Sequence, residues 1–163
     1  MWVDGQEISG VKLNILRTDK SSSSWSENAG NLVVSIPAAY DQTKKQQAIN
    51  KTLVDYLRAK TKEMIFPKVL ALAEQHGRQV NQLSTKKFRS RWGSCDHKGN
   101  ITLSLYLPTL PEDLWTYVIC HELAHLEQLN HSPKFWQAVA RMYPDYKAAR
   151  KRLKDHSPGT YIG

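Results

Sequence analysis

Apolar and polar positions alternate over residues 11–17, with Val11, Leu13 and Ile15 on one side and Lys12 and Asn14 on the other. That two-residue period predicts a half-buried strand. Residues 19–30 are polar and include four consecutive serines, Ser21 to Ser24, which predicts a loop or hairpin connection. Leu32, Val33, Val34, Ser35 and Ile36 are mostly β-branched and close at Pro37, so they predict a second strand and, with the first, a small N-terminal β-layer. From Asp41, a capping residue, the period becomes helical. Ile49, Leu53, Tyr56 and Leu57 share one face, while Lys44, Lys45, Lys51 and Arg58 lie mostly elsewhere. Pro67 is expected to interrupt this helix and to start a second, ending near His76 with Gly77 as its terminating residue.

Residues 79–86 predict a short strand and residues 88–95 a loop. The turn Lys98-Gly99-Asn100 then leads into the strictest alternation in the chain. Ile101, Leu103, Leu105 and Leu107 oppose Thr102, Ser104 and Tyr106. This predicts a strand over residues 100–107 whose polar side faces away from the core, a candidate sheet edge for docking an extended peptide. Pro111-Glu112-Asp113 is a helix start. Leu114, Val118, Ile119, Leu126 and Leu129 give that helix a buried side, and it is expected to run to about Asn130. Ser132-Pro133 restarts the helix pattern, burying Phe135, Trp136 and Val139, and a last helical piece follows Pro144. The elements predict an α+β chain with a small, mostly antiparallel sheet packed on one helix, and further helices around it. A single domain over 1–163 is expected, divided into a β-layer (1–40), a helical segment (41–78), a core (79–155) and a tail (156–163).

Composition narrows the class. The 163 residues suffice to bury a core without staples, and 40% hydrophobic with 23% charged residues is a globular balance. No apolar run approaches the roughly 18 residues of a membrane span. The first residues lack a basic segment followed by an apolar core, and Cys95 and Cys120 do not form a disulfide framework, so a reducing cytoplasm is the expected compartment. The net charge of +8 admits nucleotide or nucleic-acid partners as well as a simple basic surface. The densest basic stretches are residues 86–92 and 150–154.

The candidate chemistry lies on the helix after Pro111. His121 and His125 are four apart, so they share a helix face and can hold one metal ion. Glu122 between them is placed to activate a metal-bound water. A catalytic zinc takes three protein ligands and keeps one open position. His131, just beyond the expected helix end, can return as the third if the chain turns there. Glu127 is a rival ligand by type, but two residues past His125 it points away from that face, and Cys95, which could bind or block the metal as a thiolate, fits a structural or incidental role better. His76, His97 and His156 fit helix-end, turn and tail positions, and Cys120 fits the core.

Four motifs extend this reading: Arg91-Trp92-Gly93-Ser94-Cys95, Gly99-Asn100-Ile101-Thr102-Leu103-Ser104, Tyr117-Val118-Ile119-Cys120-His121-Glu122-Leu123-Ala124-His125-Leu126, and Asn130-His131-Ser132-Pro133-Lys134-Phe135-Trp136. In this order they resemble the YgjP-like metallopeptidase family, which is related to the SprT-like zinc proteases and to minimal zincin proteins. The resemblance is strong over the second half of the chain and loose over the helical segment before it. Near the N-terminus, the serine-rich stretch replaces the Arg-rich strand that family members often carry. The resemblance implies a zincin-like core, a sheet edge along the active-site helix, Zn2+ held by His121, His125 and His131, and Glu122 as catalytic base. Trp92 is expected beneath that helix. Arg91 either binds a substrate carboxylate or oxyanion, or braces its loop through Asp96 or Glu127, with bracing preferred. The expected function is a zinc-dependent hydrolase, a metallopeptidase acting on polypeptide. One alternative is a pyrophosphatase-type nucleotide phosphohydrolase using Lys86, Lys87, Arg89 and Arg91. Another is a basic nucleic-acid-associated module with structural zinc, which three histidines and an open position disfavour.

Overall fold

Two small mixed sheets and five α-helices make up residues 2–161, which the computed structural model describes, with side chains through Gly159. The first sheet has the order β1-β2-β4-β3, built from β1 (Glu7–Ile8), β2 (Val11–Thr18), β3 (Ser24–Asn28) and β4 (Asn31–Pro37). β2 and β4 run parallel and the other pairs antiparallel. Leu32, Val34 and Ile36 alternate inward on β4, as their spacing requires. The serine-rich stretch leads into β3, which returns through a two-residue hairpin at Ala29-Gly30. Both residues have positive φ (47° and 80°), the backbone that matches strand twist in a tight hairpin.

α1 (Gln42–Lys60) packs its Ile49, Leu53, Tyr56 and Leu57 face on β4, and the Asp41 side chain accepts from Lys44 N at 2.8 Å. The expected break before Pro67 is absent. The helix instead passes through a π turn (Thr61–Ile65) into α2 (Phe66–Gln75), with Pro67 in the first turn of α2. Phe66 N–H reaches Thr61 O, and Thr61 Oγ1 donates to Leu57 O at 2.8 Å. The wider turn absorbs the missing N–H and the ring of proline without ending the helix.

The second sheet has the order β5-β7-β6, from β5 (Gln82–Lys86), β6 (Gly93–Cys95) and β7 (Asn100–Ser104). β5 pairs parallel and β6 antiparallel to β7. The strand expected over residues 100–107 is therefore the central one and stops at Ser104. The edge beside the helices is β6, within the stretch expected to be loop. Past Ser104 the chain bends into a 3₁₀ turn (Leu107–Thr109), and Leu105, Tyr106 and Leu107 are all buried. Ser104 and Tyr106 thus face the core instead of turning away from it. The Ser104 hydroxyl is buried at no loss because it accepts from Tyr106 N at 3.2 Å.

α3 (Glu112–Ala124) runs between β6 on one side and α4 (Pro133–Met142) and α5 (Tyr146–Leu153) on the other. It is buried almost all round, from Leu114 to Ala124, as a helix covered on several sides must be. It ends six residues before Asn130. Leu126 N reaches Leu123 O and Glu127 N reaches Ala124 O, both at i−3, a tightening that closes a helix end. Ser132 caps α4, accepting from Phe135 N at 3.4 Å. Among the described residues no helix is long and apolar enough to cross a membrane.

Leu103 is fully buried on the central strand of the second sheet. Leu103→Ala is expected to lower the unfolding free energy by about 2–5 kcal/mol, read from urea denaturation. A loss well below 1 kcal/mol would show that this strand does not anchor the core.

Candidate active site

His121 lies in the last turn of α3. His125 is its C-cap, with φ −66° and ψ −18°, so the backbone is still helical there and the i, i+4 relation survives the helix end. His131 comes back from the following turn, one residue before the Ser132 cap. The ring centroids are 5.1 Å apart for His121–His125, 5.3 Å for His121–His131 and 4.9 Å for His125–His131. One nitrogen from each ring lies within 4.8 Å of the others. Small ring rotations bring such a set onto a common ion at about 2.0–2.1 Å, so the donor set fits a divalent metal.

The rings are held from behind. The Nδ1 of His125 lies 2.9 Å from Gln128 O. A carbonyl only accepts, so Nδ1 carries the proton and Nε2 keeps its lone pair for a ligand. Tyr117 Oη lies 3.4 Å from His121 Nδ1 and holds that ring from behind. Phe135, fully buried on α4, touches all three imidazoles. Its centroid is 4.4 Å from that of His125, stacked, and 4.9 Å from each of the other two. Burial lowers the proton affinity of His121, to a pKa of about 3, with His125, His131 and Arg150 adding to it. Burial also lowers that of His125. Both rings are thus kept neutral, the form that ligates metals.

Glu122 is 5% exposed and sits on the side of α3 against β6. Burial raises its pKa to about 8, and the Arg91 charge opposes that rise. The close approach depends on Gly93. A Cβ there would stand 2.8 Å from Glu122 Oε2 and 3.0 Å from its Cγ. The Gly93 requirement was not anticipated from the sequence, although Gly93 lies inside the Arg91–Cys95 motif. The spacing of Phe135 marks it as a core residue, and only the fold places it beneath the three imidazoles.

Arg91, Gly93, Ser94, Cys95 and Leu129 line a cavity of about 370 Å³ together with the three histidines and Glu122. Of the basic run over residues 86–92, Arg91 alone among the charged residues lines it. Bracing of Arg91 through Asp96 or Glu127 does not occur. Asp96 accepts from Asn100 and from Lys98 N, and Glu127 pairs with Arg78 at 2.6 Å and Arg141 at 3.0 Å. Arg91 instead lies over the Phe88 ring, 5.7 Å from its centroid. Cys95 is half-buried, and its thiol is pushed up to about 12 by burial and by the charges of Glu122 and Asp96, so it is protonated. Trp92 is buried and Cys120 fully so, both as expected. His97 is a turn residue, and His76 caps α2.

A helix carrying two histidines and a glutamate, a third histidine after it and a strand edge beside it define a metal-dependent hydrolase of the zincin-like α+β class. The chain belongs to the YgjP-like family, whose model, a YgjP-like metallopeptidase domain, matches residues 5–156. It is similar to the crystal structure of the metallopeptidase zymogen of Pyrococcus abyssi abylysin, with 27% identity over 55% of this chain and 91% of that chain and a TM-score of 0.50. It is also similar to the metallopeptidase zymogen of Methanocaldococcus jannaschii jannalysin, with 19% identity over 56% and 94% of the two chains and a TM-score of 0.48. Among curated proteins none matches this chain. The protein is therefore a metallopeptidase-like hydrolase.

The atoms a Gly93 Cβ would meet belong to the free end of a flexible side chain. Gly93→Ala is therefore expected to leave the melting temperature within a few degrees of the parent and the metal content unchanged, while hydrolytic turnover falls about tenfold or more as Glu122 is displaced. Unchanged turnover would remove Glu122's present position from the account of the site.

Proposed function

We propose that the protein is a zinc-dependent peptidase in which His121, His125 and His131 hold the ion and Glu122 is the general base. The observation that carries this is the convergence of three imidazoles within 4.8 Å beside one buried carboxylate. When bound, zinc supplies Lewis acidity, polarising the scissile carbonyl and lowering the pKa of a coordinated water toward about 7. Glu122 takes a proton from the attacking water at its carboxylate and passes it to the leaving amine nitrogen. Burial strengthens its hold on that proton between the two transfers. Gly93 leaves the room for Glu122 to do so.

Peptide is favoured over phosphoanhydride as substrate for two reasons. The unpaired edge of β6 runs beside α3, so an extended chain can add to it by backbone hydrogen bonds. In addition, Lys86, Lys87 and Arg89, the basic residues that a polyphosphate reading would use with Arg91, do not line the cavity. Arg91 is suited to a single substrate oxygen, either a carbonyl or the developing oxyanion.

Metal analysis of the purified protein is expected to find about one equivalent of zinc, lost in His121→Ala and in His125→Ala. Chelation should abolish peptide hydrolysis and added zinc should restore it. Glu122→Gln should keep its zinc and lose about 10²-fold or more in turnover on an unfolded protein substrate. Full activity in Glu122→Gln would sink the assigned mechanism, and hydrolysis of nucleoside triphosphates without peptide hydrolysis would sink the substrate class.

A further inference from the structure

Beside the catalytic cavity lies a second one of about 350 Å³, which shares Arg91, Gly93, His121 and Glu122 with it. Whatever fills this space sits next to the reacting centre. Its walls are apolar where α3 and the loop before β6 meet α5, with Trp92 and Val118 buried and Leu153 half-buried. Apart from Glu122, its charged groups are basic. Arg150 in the last turn of α5 and Lys154, its C-cap, are four apart, and Arg91 stands at the boundary with the catalytic cavity. The carboxylate lining it is Glu122, which the proposed chemistry already uses.

Several other arginines are neutralised, although Arg17 and Arg89 also have no acidic side chain within 4.0 Å among the described residues. Arg152 on the same helix pairs with Asp113, and Arg78 and Arg141 both pair with Glu127. Among the described residues no acidic side chain lies within 4.0 Å of the charged groups of Arg91, Arg150 or Lys154. Arg150 is nevertheless held in place. Its guanidinium lies 4.5 Å from the Trp136 ring centroid, and that ring stacks on Tyr146 at 5.4 Å. Arg150, Lys154 and Arg91 over apolar walls are arranged to receive a carboxylate.

We propose that this second cavity is the specificity pocket of the peptidase and selects a carboxylate on the residue flanking the scissile bond, with Arg150 and Lys154 as its charge partners. The proposal rests on the peptidase reading above. The carboxylate belongs either to an Asp or Glu side chain or to the free C-terminus of a short peptide. Apolar walls accept the methylenes of either.

The test uses the zinc-loaded full-length protein and peptides matched except for Glu against Gln at one flanking position, each made as the C-terminal acid and as the amide. Cleavage sites and kcat/KM are read by mass spectrometry. The peptide carrying the carboxylate is expected to be cleaved about tenfold or more faster, and the acid–amide pairs tell a side chain from a terminus. Lys154→Glu, an exposed change, should bring the preference toward parity. Arg150→Glu with Lys154→Glu should shift it to Lys at the same position. Cleavage indifferent to the carboxylate, or a preference that survives both variants, overturns the pocket and leaves the peptidase standing. If no peptide is cleaved, the peptidase reading fails, and the pocket is judged by binding alone. In the zinc-loaded Glu122→Gln protein, fluorescence anisotropy should then show about tenfold tighter binding of the Glu peptide, lost in Lys154→Glu. Equal binding of the Glu and Gln peptides overturns the proposal.

Discussion

The bond from His125 Nδ1 to the Gln128 carbonyl, 2.9 Å long, closes the turn on which the whole site depends. α3 ends at Ala124, so the chain can reverse within six residues and bring His131 back to His121. Had the helix continued to Asn130, His131 would stand about 9 Å further along the axis from His125, at 1.5 Å per residue, and on another face. No single ion could then join the three rings. The same bond fixes which nitrogen of His125 carries its proton, so a fold-level event and a ligand's tautomer are settled together. The restart at Ser132 then delivers Phe135 beneath all three imidazoles.

A second constraint acts from the sheet side. Burying Glu122 is costly for the charged form, and this raises its proton affinity. That burial is possible because β6 offers a glycine where any side chain would collide with the carboxylate. Strand edge and helix are thus pressed together at the point where the catalytic group sits. The half-buried Cys95 follows two residues later and shares the cavity as a neutral thiol. Arg91 just before β6 supplies the one positive charge opposing the burial of Glu122.

Much of this was legible along the chain, for local reasons. The apolar face of α1, the Asp41 and Ser132 caps and the Pro111 helix start all act within a few residues of themselves, and each stands where its pattern puts it. The HExxH spacing on a helix and the later His131 were enough to point to one cluster, and the cluster forms. The failures share a cause. Leu105 and Leu107 continue the alternation of β7, but they reach the core through a turn, because a buried turn and a strand can both hide every second residue. Pro67 reads as a break, yet a π turn absorbs it. Leu126 and Leu129 keep the helical period past Ala124, although the chain has already left the helix; Leu126 packs on the core while Leu129 is exposed.

By itself the sequence determined the chemical inventory of the site: two histidines one turn apart, a glutamate between them, a third histidine just after, and a loop motif that marks the family. Spacing and residue type are local properties and survive any packing. Tertiary structure alone decided that β6, not the more regular β7, is the edge strand beside α3, since strand order depends on which strand finds a partner on each side. It also decided that Gly93 meets Glu122, and that Arg91 faces the cavity instead of Asp96 or Glu127. These are contacts between segments far apart in the chain, and no local pattern encodes the distance between them.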